Sequence, residues 1–302
     1  MSRFDVTILG ANSAIPTANR FPTAQLLNIN ESYYLIDCGE GTQIQLRKNK
    51  LKFQRIEVIF ISHLHGDHYF GLIGLLTTMH LLKREKPLKI VGPEKLWEII
   101  TLQLDVAGTK LAYPVTFEPI SFTNGALLHS DTKIEVTALK LNHRIACAGF
   151  VFKQKPKEPS VRKDKIQDHQ LTIDEIKELK SGNSIERKGK ELLNELIVQP
   201  QQPKAYAYVT DTKMNEQIIP FIKEVDLLYH ETTFKKHETK RAKETYHSTT
   251  HQAAEIALKA NVTKLMIGHY STRYDNLEEL RQECMEIFEN TVLATEGETI
   301  LV

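Results

Sequence analysis

Three imidazoles and a carboxylate fall within six consecutive positions, His63-Leu64-His65-Gly66-Asp67-His68, directly after the apolar run VIFIS. With only 12 histidines among 302 residues, such crowding argues against a merely solvated turn. Zinc accepts neutral imidazole nitrogen and carboxylate oxygen, and a turn at the end of a strand splays alternate side chains toward two adjacent positions. One ion could not comfortably use all four groups, so the spacing favours two. Filling two coordination shells takes further histidines and a carboxylate able to bridge. His143 after TKIEVTALKLN, Asp211 after KAYAYVT and His269 after KLMIG are the candidates, because each ends an apolar run as the first cluster does. Taken singly, each would more often be an ordinary loop residue; their common position after a strand reverses that reading.

The elements that must hold these side chains alternate in character. DVTILG, YYLID, RIEVIFIS, PLKIVG, TKIEVTALKL, KAYAYVTDT, VDLLYHETTF and TKLMIGH read as strands running into loops. GLIGLLTTMHLLKRE, PEKLWEIITLQL, TTHQAAEIALKAN and NLEELRQECMEIFEN repeat their apolar residues at helical spacing. The alternation predicts an α/β fold with at least partly parallel pairing. Residues 153–204 depart from it: they are polar, have prolines near both ends, and read as an insertion. They carry 12 Lys or Arg against 9 Asp or Glu, a net of +3 that leaves −2 for the rest of a chain totalling +1. Their centre, LTIDEIKELKSG, has a helical pattern and a glycine stop, so the insertion is expected to be a projecting arm with some helix.

Composition sets outer bounds. With 41% hydrophobic and 25% charged residues the chain has material for a sizeable core, and disorder is excluded. A net charge of only +1 means that a polyanionic substrate has to be met by local positive charge. Cys38, Cys147 and Cys284 are odd in number and far apart, so they form neither a disulfide framework nor a zinc ribbon and read as buried thiols. MSRFDVTILG lacks the pattern of a secretory leader, and no apolar run approaches membrane-spanning length, so a cytoplasmic location is expected. GANSAIP lacks the lysine and spacing of a phosphate-binding loop and reads as a tight turn near the site. His80, His129, His169, His237 and His251 lack comparable support and are assigned surface or core duties.

Taken in order, GANSAIPTANRFPTAQLL, DCGEGTQIQL, HLHGDH, NHRI, TDT, HETTF, YHSTTHQAA and HYSTRY resemble the blocks of the ribonuclease Z family in the metallo-β-lactamase superfamily, across nearly all of the chain except the arm. HxHxDH alone marks only the superfamily; DCGEGTQ with the HETTF and HST blocks is far more specific. The resemblance implies a four-layer αββα metallo-β-lactamase sandwich, one domain over 1–302, with 153–204 as an inserted substrate-binding arm. It implies two zinc ions per subunit, with manganese or iron as alternatives: His63, His65 and His143 on one, Asp67, His68 and His269 on the other, Asp211 bridging. The implied activity is removal of the 3′ trailer from precursor tRNA, leaving a 3′-hydroxyl on the tRNA and a 5′-phosphate on the trailer, by in-line attack of a metal-bridging hydroxide. Asp67 is the family's proton acceptor.

Glu231 and His247 lie in family-matching blocks outside the ligand set and are expected to act as a pair on the leaving 3′ oxygen; the plainer alternative is that Glu231 anchors a loop and His247 caps the next helix. Asp37 is expected to support a ligand histidine. Thr210 stands where glycine is common and Tyr270 where an apolar residue is usual. The arm has Gly182 and Gly189 but no Gly-Pro cluster, so its likeness to the family's tRNA-gripping arm is weaker than that of the metal site. The short form implies a homodimer. Two other functions compete: a related phosphodiesterase for small cyclic or diester phosphates or another RNA, and a non-catalytic RNA-binding protein that kept the fold.

Overall fold

The computed structural model describes residues 3–156, 159–187, 190–199 and 202–302; Gly189 lies outside the described residues. The chain divides into two compact units, one formed by residues 3–153 and 204–302 and the other by residues 154–203.

The larger unit is built on two seven-stranded sheets. The first runs in the order Thr299–Leu301, Phe4–Gly10, Ala24–Ile29, Ser32–Ile36, Ile56–Phe60, Leu88–Gly92, Val115–Pro119. The second runs Thr291–Leu293, Lys264–Gly268, Leu227–Glu231, Ala205–Val209, Ala148–Gln154, Ile134–Lys140, Leu127–Ser130. Pairing is parallel from Ser32–Ile36 through Val115–Pro119 and from Ala205–Val209 through Thr291–Leu293, so both sheets are mixed, and their parallel parts account for the long apolar runs.

Period two decides which layer each side chain joins. In the first sheet Val6, Ile8, Leu27, Tyr34, Ile36, Val58 and Phe60 enter the core shared with Phe150, Phe152, Tyr206, Tyr208 and Tyr229 of the second. Their neighbours Leu26, Leu35, Ile59 and Ile61 point the other way, onto the helices Leu72–Leu81 and Lys95–Val106 through Leu75, Leu76, Met79, Leu96 and Ile100. On the far side of the second sheet, the helices Thr250–Lys259 and Glu278–Met285 pack through Ile256, Ala257, Leu280 and Cys284. Each such side chain, taken fully out of water, contributes about 1.5–3 kcal/mol. Helix, sheet, sheet and helix make up the four layers of this unit.

The smaller unit has its own core of Val161, Leu171, Leu179, Ile197 and Val198. Its helix Ile173–Lys180 begins where LTIDEIKELKSG predicts: the Thr172 hydroxyl accepts from the Glu175 amide, and the Thr172 amide donates to the Glu175 carboxylate, a reciprocal cap. Gly182, at φ 98°, follows it. Two short ribbons, Ser160–Val161 with Val198–Gln199 and Ile185–Arg187 with Lys190–Leu192, were not anticipated, since two or three residues are too few to display an alternation.

Candidate metal centre

Every residue singled out for metal binding follows the end of a strand, and the strand ends converge. His63 and His65 lie in the turn after Ile56–Phe60, and Asp67 and His68 in the short helix Gly66–Tyr69 that follows it, while His143, Asp211 and His269 follow Ile134–Lys140, Ala205–Val209 and Lys264–Gly268. Reaching the site takes unusual backbone: Ala14, Asp37, Tyr246 and His269 have φ of 56°, 55°, 65° and 58°. Left-handed conformations cost non-glycine residues about 1–3 kcal/mol each and persist only where the surroundings over-determine them, which is typical of functional sites. Gly39 is needed for a different reason, because a side chain there would run into the carbonyl of Asp67.

Besides an overlapping group that joins His247 to Asp211 and His269, two groups of candidate ligand atoms account for the predicted set. In one, His65 Nδ1 lies 3.0 Å from His63 Nε2 and 3.1 Å from His143 Nε2. Asp211 Oδ2 stands 3.7 Å from His63 Nε2 and 3.6 Å from His143 Nε2. In the other, Asp67 Oδ2 is 3.4 Å from His68 Nε2 and 3.5 Å from His269 Nε2, and Asp211 Oδ1 is 3.3 and 3.2 Å from the same two nitrogens. The two oxygens of Asp211 thus face different groups.

The spacings in the second group suit a metal ion. A tetrahedral ion with bonds of about 2.0–2.2 Å separates its ligand atoms by about 3.3–3.6 Å. The buried Nε2 atoms of His68 and His269 have no hydrogen-bond partner among the described residues, a costly state that a cation would relieve. Burial pushes His63 well below the ordinary histidine range and lowers His65 and His143, so all three favour the neutral form that ligation requires. Burial also acts on His68, but Asp67, Asp211 and Asp37 outweigh it and raise that residue, which marks a strongly anionic surrounding.

A buried polar network holds the rings in place. Asp37, fully enclosed, accepts from the Ser62 amide at 2.7 Å on Oδ1; on Oδ2 it accepts from the Ser62 hydroxyl at 2.9 Å, the Tyr208 hydroxyl at 2.7 Å and His68 Nδ1 at 2.8 Å. The Ser62 oxygen is also 3.0 Å from His63 Nδ1, so one carboxylate orients a ligand in each group. His143 Nδ1 reaches the Tyr246 carbonyl at 3.0 Å, and His269 Nδ1 the Thr233 hydroxyl at 2.9 Å. The Thr210 hydroxyl donates to Asp211 Oδ1 at 2.9 Å, which is what that residue adds over glycine. The Ala14 amide donates to Asp67 Oδ2 at 2.8 Å, bringing the GANSAIP turn to the site as expected. Tyr270 is buried, its hydroxyl donating to the Ile267 carbonyl at 2.5 Å.

Glu231 and His247 meet beside the ligands. Glu231 Oε1 lies 2.9 Å from His247 Nδ1 and accepts from the Thr212 amide at 2.8 Å, while Oε2 accepts from the Thr233 hydroxyl at 2.6 Å. Burial works against a charged His247, but the buried Glu231 carboxylate overcomes it and pushes the imidazole up to about 9. The next helix is capped by Thr249 with Gln252, not by His247. Loop anchoring and imidazole support therefore coexist in Glu231. His80 accepts from the Ala112 amide and His251 pairs with Glu286, structural duties as anticipated.

The site opens into a cleft of about 410 Å³ whose lining includes Ser13, Phe70, Arg144, His247 and the candidate ligands His65, Asp67, Asp211 and His269. Sequence reasoning missed Ser62, Tyr208, Thr233 and Arg144. Ser62 and Tyr208 lie in runs that read as plain strand; Thr233 and Arg144 stood inside quoted blocks, HETTF and NHRI, whose other residues drew the attention.

Residues 4–172 match the family described as Anti-Pycsar protein Apyc1. A ribonuclease Z from Parabacteroides distasonis is 43% identical over 299 residues, covering 98% of each chain. One from Cytophaga hutchinsonii is 44% identical over 302 residues, covering 99% of this chain and 96% of the relative. Among solved structures, the short form of human tRNase Z aligns with a TM-score of 0.71 at 28% identity, covering 98% of both chains. A long-form RNase Z from yeast aligns with a TM-score of 0.73 at 17% identity, covering 99% of this chain and 42% of that one, and shows the shared fold.

Proposed function

The chain belongs to the ribonuclease Z family and, over residues 4–172, to the family described as Anti-Pycsar protein Apyc1, and from that premise we propose that it removes the 3′ trailer from precursor tRNA as a metal-dependent endoribonuclease. The observation that carries the reading is Asp211, whose two oxygens face separate ligand groups. His63, His65 and His143 would hold one ion and Asp67, His68 and His269 the other, with Asp211 shared; two zinc ions per subunit suit the preponderance of imidazole. Divalent ions there supply Lewis acidity and neutralise charge gathering on the phosphate oxygens.

The chain's own residues do the rest. Asp67, oriented by the Ala14 amide on one oxygen, accepts the proton of the attacking water. His247, held through Nδ1 by Glu231 and lining the cleft, delivers a proton to the departing 3′ oxygen. Products with a 3′-hydroxyl on the tRNA and a 5′-phosphate on the trailer follow from that direction of attack.

The arm of residues 153–204, which carries a net +3 and whose interior has its own core, serves as the grip on folded tRNA. The basic stretch 235–244 is a weaker candidate, since Lys235 and Lys236 pair with Glu279 and Glu286. The working unit is a homodimer acting in the cytoplasm, a compartment that suits three buried free thiols. No helix among the described residues is long and apolar enough to cross a membrane.

Mapping the ends of both products from a 3′-extended precursor tRNA tests the reading, with light scattering for the dimer. A single cut with the termini given above supports it. Hydrolysis of bis(p-nitrophenyl) phosphate with the RNA left intact would favour a small-diester phosphodiesterase. Binding of RNA without cleavage of either, in protein free of metal, would favour a non-catalytic RNA-binding protein.

A further inference from the structure

Beside the catalytic cleft lies a second one of about 780 Å³, lined by Leu141, Ile145, Met214, Asn142 and Gln217 among others. Arg144 is the one residue common to both linings, and within the catalytic cleft it is the only arginine or lysine among the lining residues. Its side chain is exposed and has no hydrogen bond or ion pair among the described residues. The backbone carrying it is fixed. The Leu141 amide donates to the Cys147 carbonyl at 3.1 Å, closing the loop, and the Lys213 amide donates to the Asn142 carbonyl at 3.0 Å. A tethered loop thus presents an unpaired guanidinium at the boundary of the two clefts.

Charge in the second cleft points the same way. Its acid, Glu216, is engaged with Lys259, whereas the exposed Lys140 ammonium has no partner among the described residues. What remains is positive charge at the rim, an apolar face from Leu141, Ile145 and Met214, and the unengaged amides of Asn142 and Gln217. A nucleotide needs a cation for its phosphate, an apolar surface for its base and amides for its base edge. Arginine also presents a planar fork matched to phosphate oxygens, which lysine lacks.

We propose that Arg144 and the second cleft bind the nucleotide adjoining the cleaved phosphodiester, the guanidinium holding its phosphate and the face of Leu141, Ile145 and Met214 receiving its base. The inference rests on the reading of the chain as an RNA-cleaving enzyme. Bis(p-nitrophenyl) phosphate has no neighbouring phosphate, so it separates this role from the chemistry.

The test compares wild type, Arg144→Ala and Arg144→Lys on precursor tRNA and on bis(p-nitrophenyl) phosphate, with metal content measured for each. For Arg144→Ala the expected result is a KM for tRNA raised about tenfold with kcat within about twofold, a loss several-fold larger than any on the small ester, and two-ion metal content retained. The slope of log kcat/KM against log salt should lose about one unit, and Arg144→Lys should recover the slope but only part of KM. An unchanged KM and salt slope, or equal losses on both substrates, would overturn the proposal. Wild-type protein that leaves tRNA uncut would instead remove the reading beneath it.

Discussion

Replacing Asp37 by asparagine should loosen both halves of the metal centre at once, although Asp37 belongs to neither ligand group. The carboxylate accepts hydrogen bonds on both oxygens: Oδ1 from the Ser62 amide at 2.7 Å, Oδ2 from His68 Nδ1 at 2.8 Å, the Ser62 hydroxyl at 2.9 Å and the Tyr208 hydroxyl at 2.7 Å. An asparagine amide group can face only one set. Turned toward Oδ1's partner it opposes a backbone N–H; turned the other way it opposes His68 Nδ1, which must keep its proton if Nε2 is to bind metal. Either arrangement leaves a donor facing a donor in a fully buried place. Loss of such a supporting group typically weakens metal binding 10- to 100-fold, about 1.4–2.7 kcal/mol. Because the Ser62 hydroxyl also touches His63 Nδ1 at 3.0 Å, the loss should extend to both ions. Thr233→Val is the contrast, since Thr233 supports His269 alone among the ligands, and should weaken one ion. The assay is a zinc titration against a chromophoric chelator with melting curves alongside. An Asp37→Asn protein that binds both ions within twofold of wild type would refute the reasoning.

Two other perturbations follow from the site and the arm. His247→Ala should lower kcat on precursor tRNA by about 10²–10⁴-fold, the range of general acid catalysis, yet cost less than about tenfold on bis(p-nitrophenyl) phosphate, whose leaving group needs no proton; Glu231→Gln should show the same asymmetry, and equal losses on both substrates would show that the pair is structural. Deleting residues 155–200 should spare small-ester hydrolysis and abolish tRNA processing, as expected of a unit with its own core; tRNA processing that survives the deletion would remove the arm from recognition.

The sequence was most informative where chemistry and periodicity coincide. The HxHxDH turn and the solitary His143, Asp211 and His269 were visible because polar residues ending apolar runs are conspicuous, whereas the Glu231–His247 pair was visible only through the resemblance of its blocks to the family; the structure brings all of them together. The supporting residues were hidden for the same reason. Ser62 and Tyr208 lie in or beside strands whose apolar neighbours dominate the pattern, and nothing local reveals that their hydroxyls converge on Asp37 from positions 25 and 171 residues away in the chain. Asp37 itself was legible as a supporting group, but its left-handed backbone was not, because an aspartate before Cys38-Gly39 also suits a plain turn. Strands on the sheet margins, such as Leu127–Ser130 and Thr299–Leu301, escaped notice because they are short and partly exposed.

Asp211 is the residue on which a shared two-ion centre depends, and Asp211→Ala tests it most directly. Wild type and variant would be compared for metal content and for cleavage of 3′-extended precursor tRNA, with bis(p-nitrophenyl) phosphate beside it. The account predicts that wild type holds two ions and cuts both substrates, and that the variant loses bound metal and cuts neither, with the fold intact by circular dichroism. A folded variant that keeps both ions, or that still processes tRNA at the wild-type rate, would contradict it.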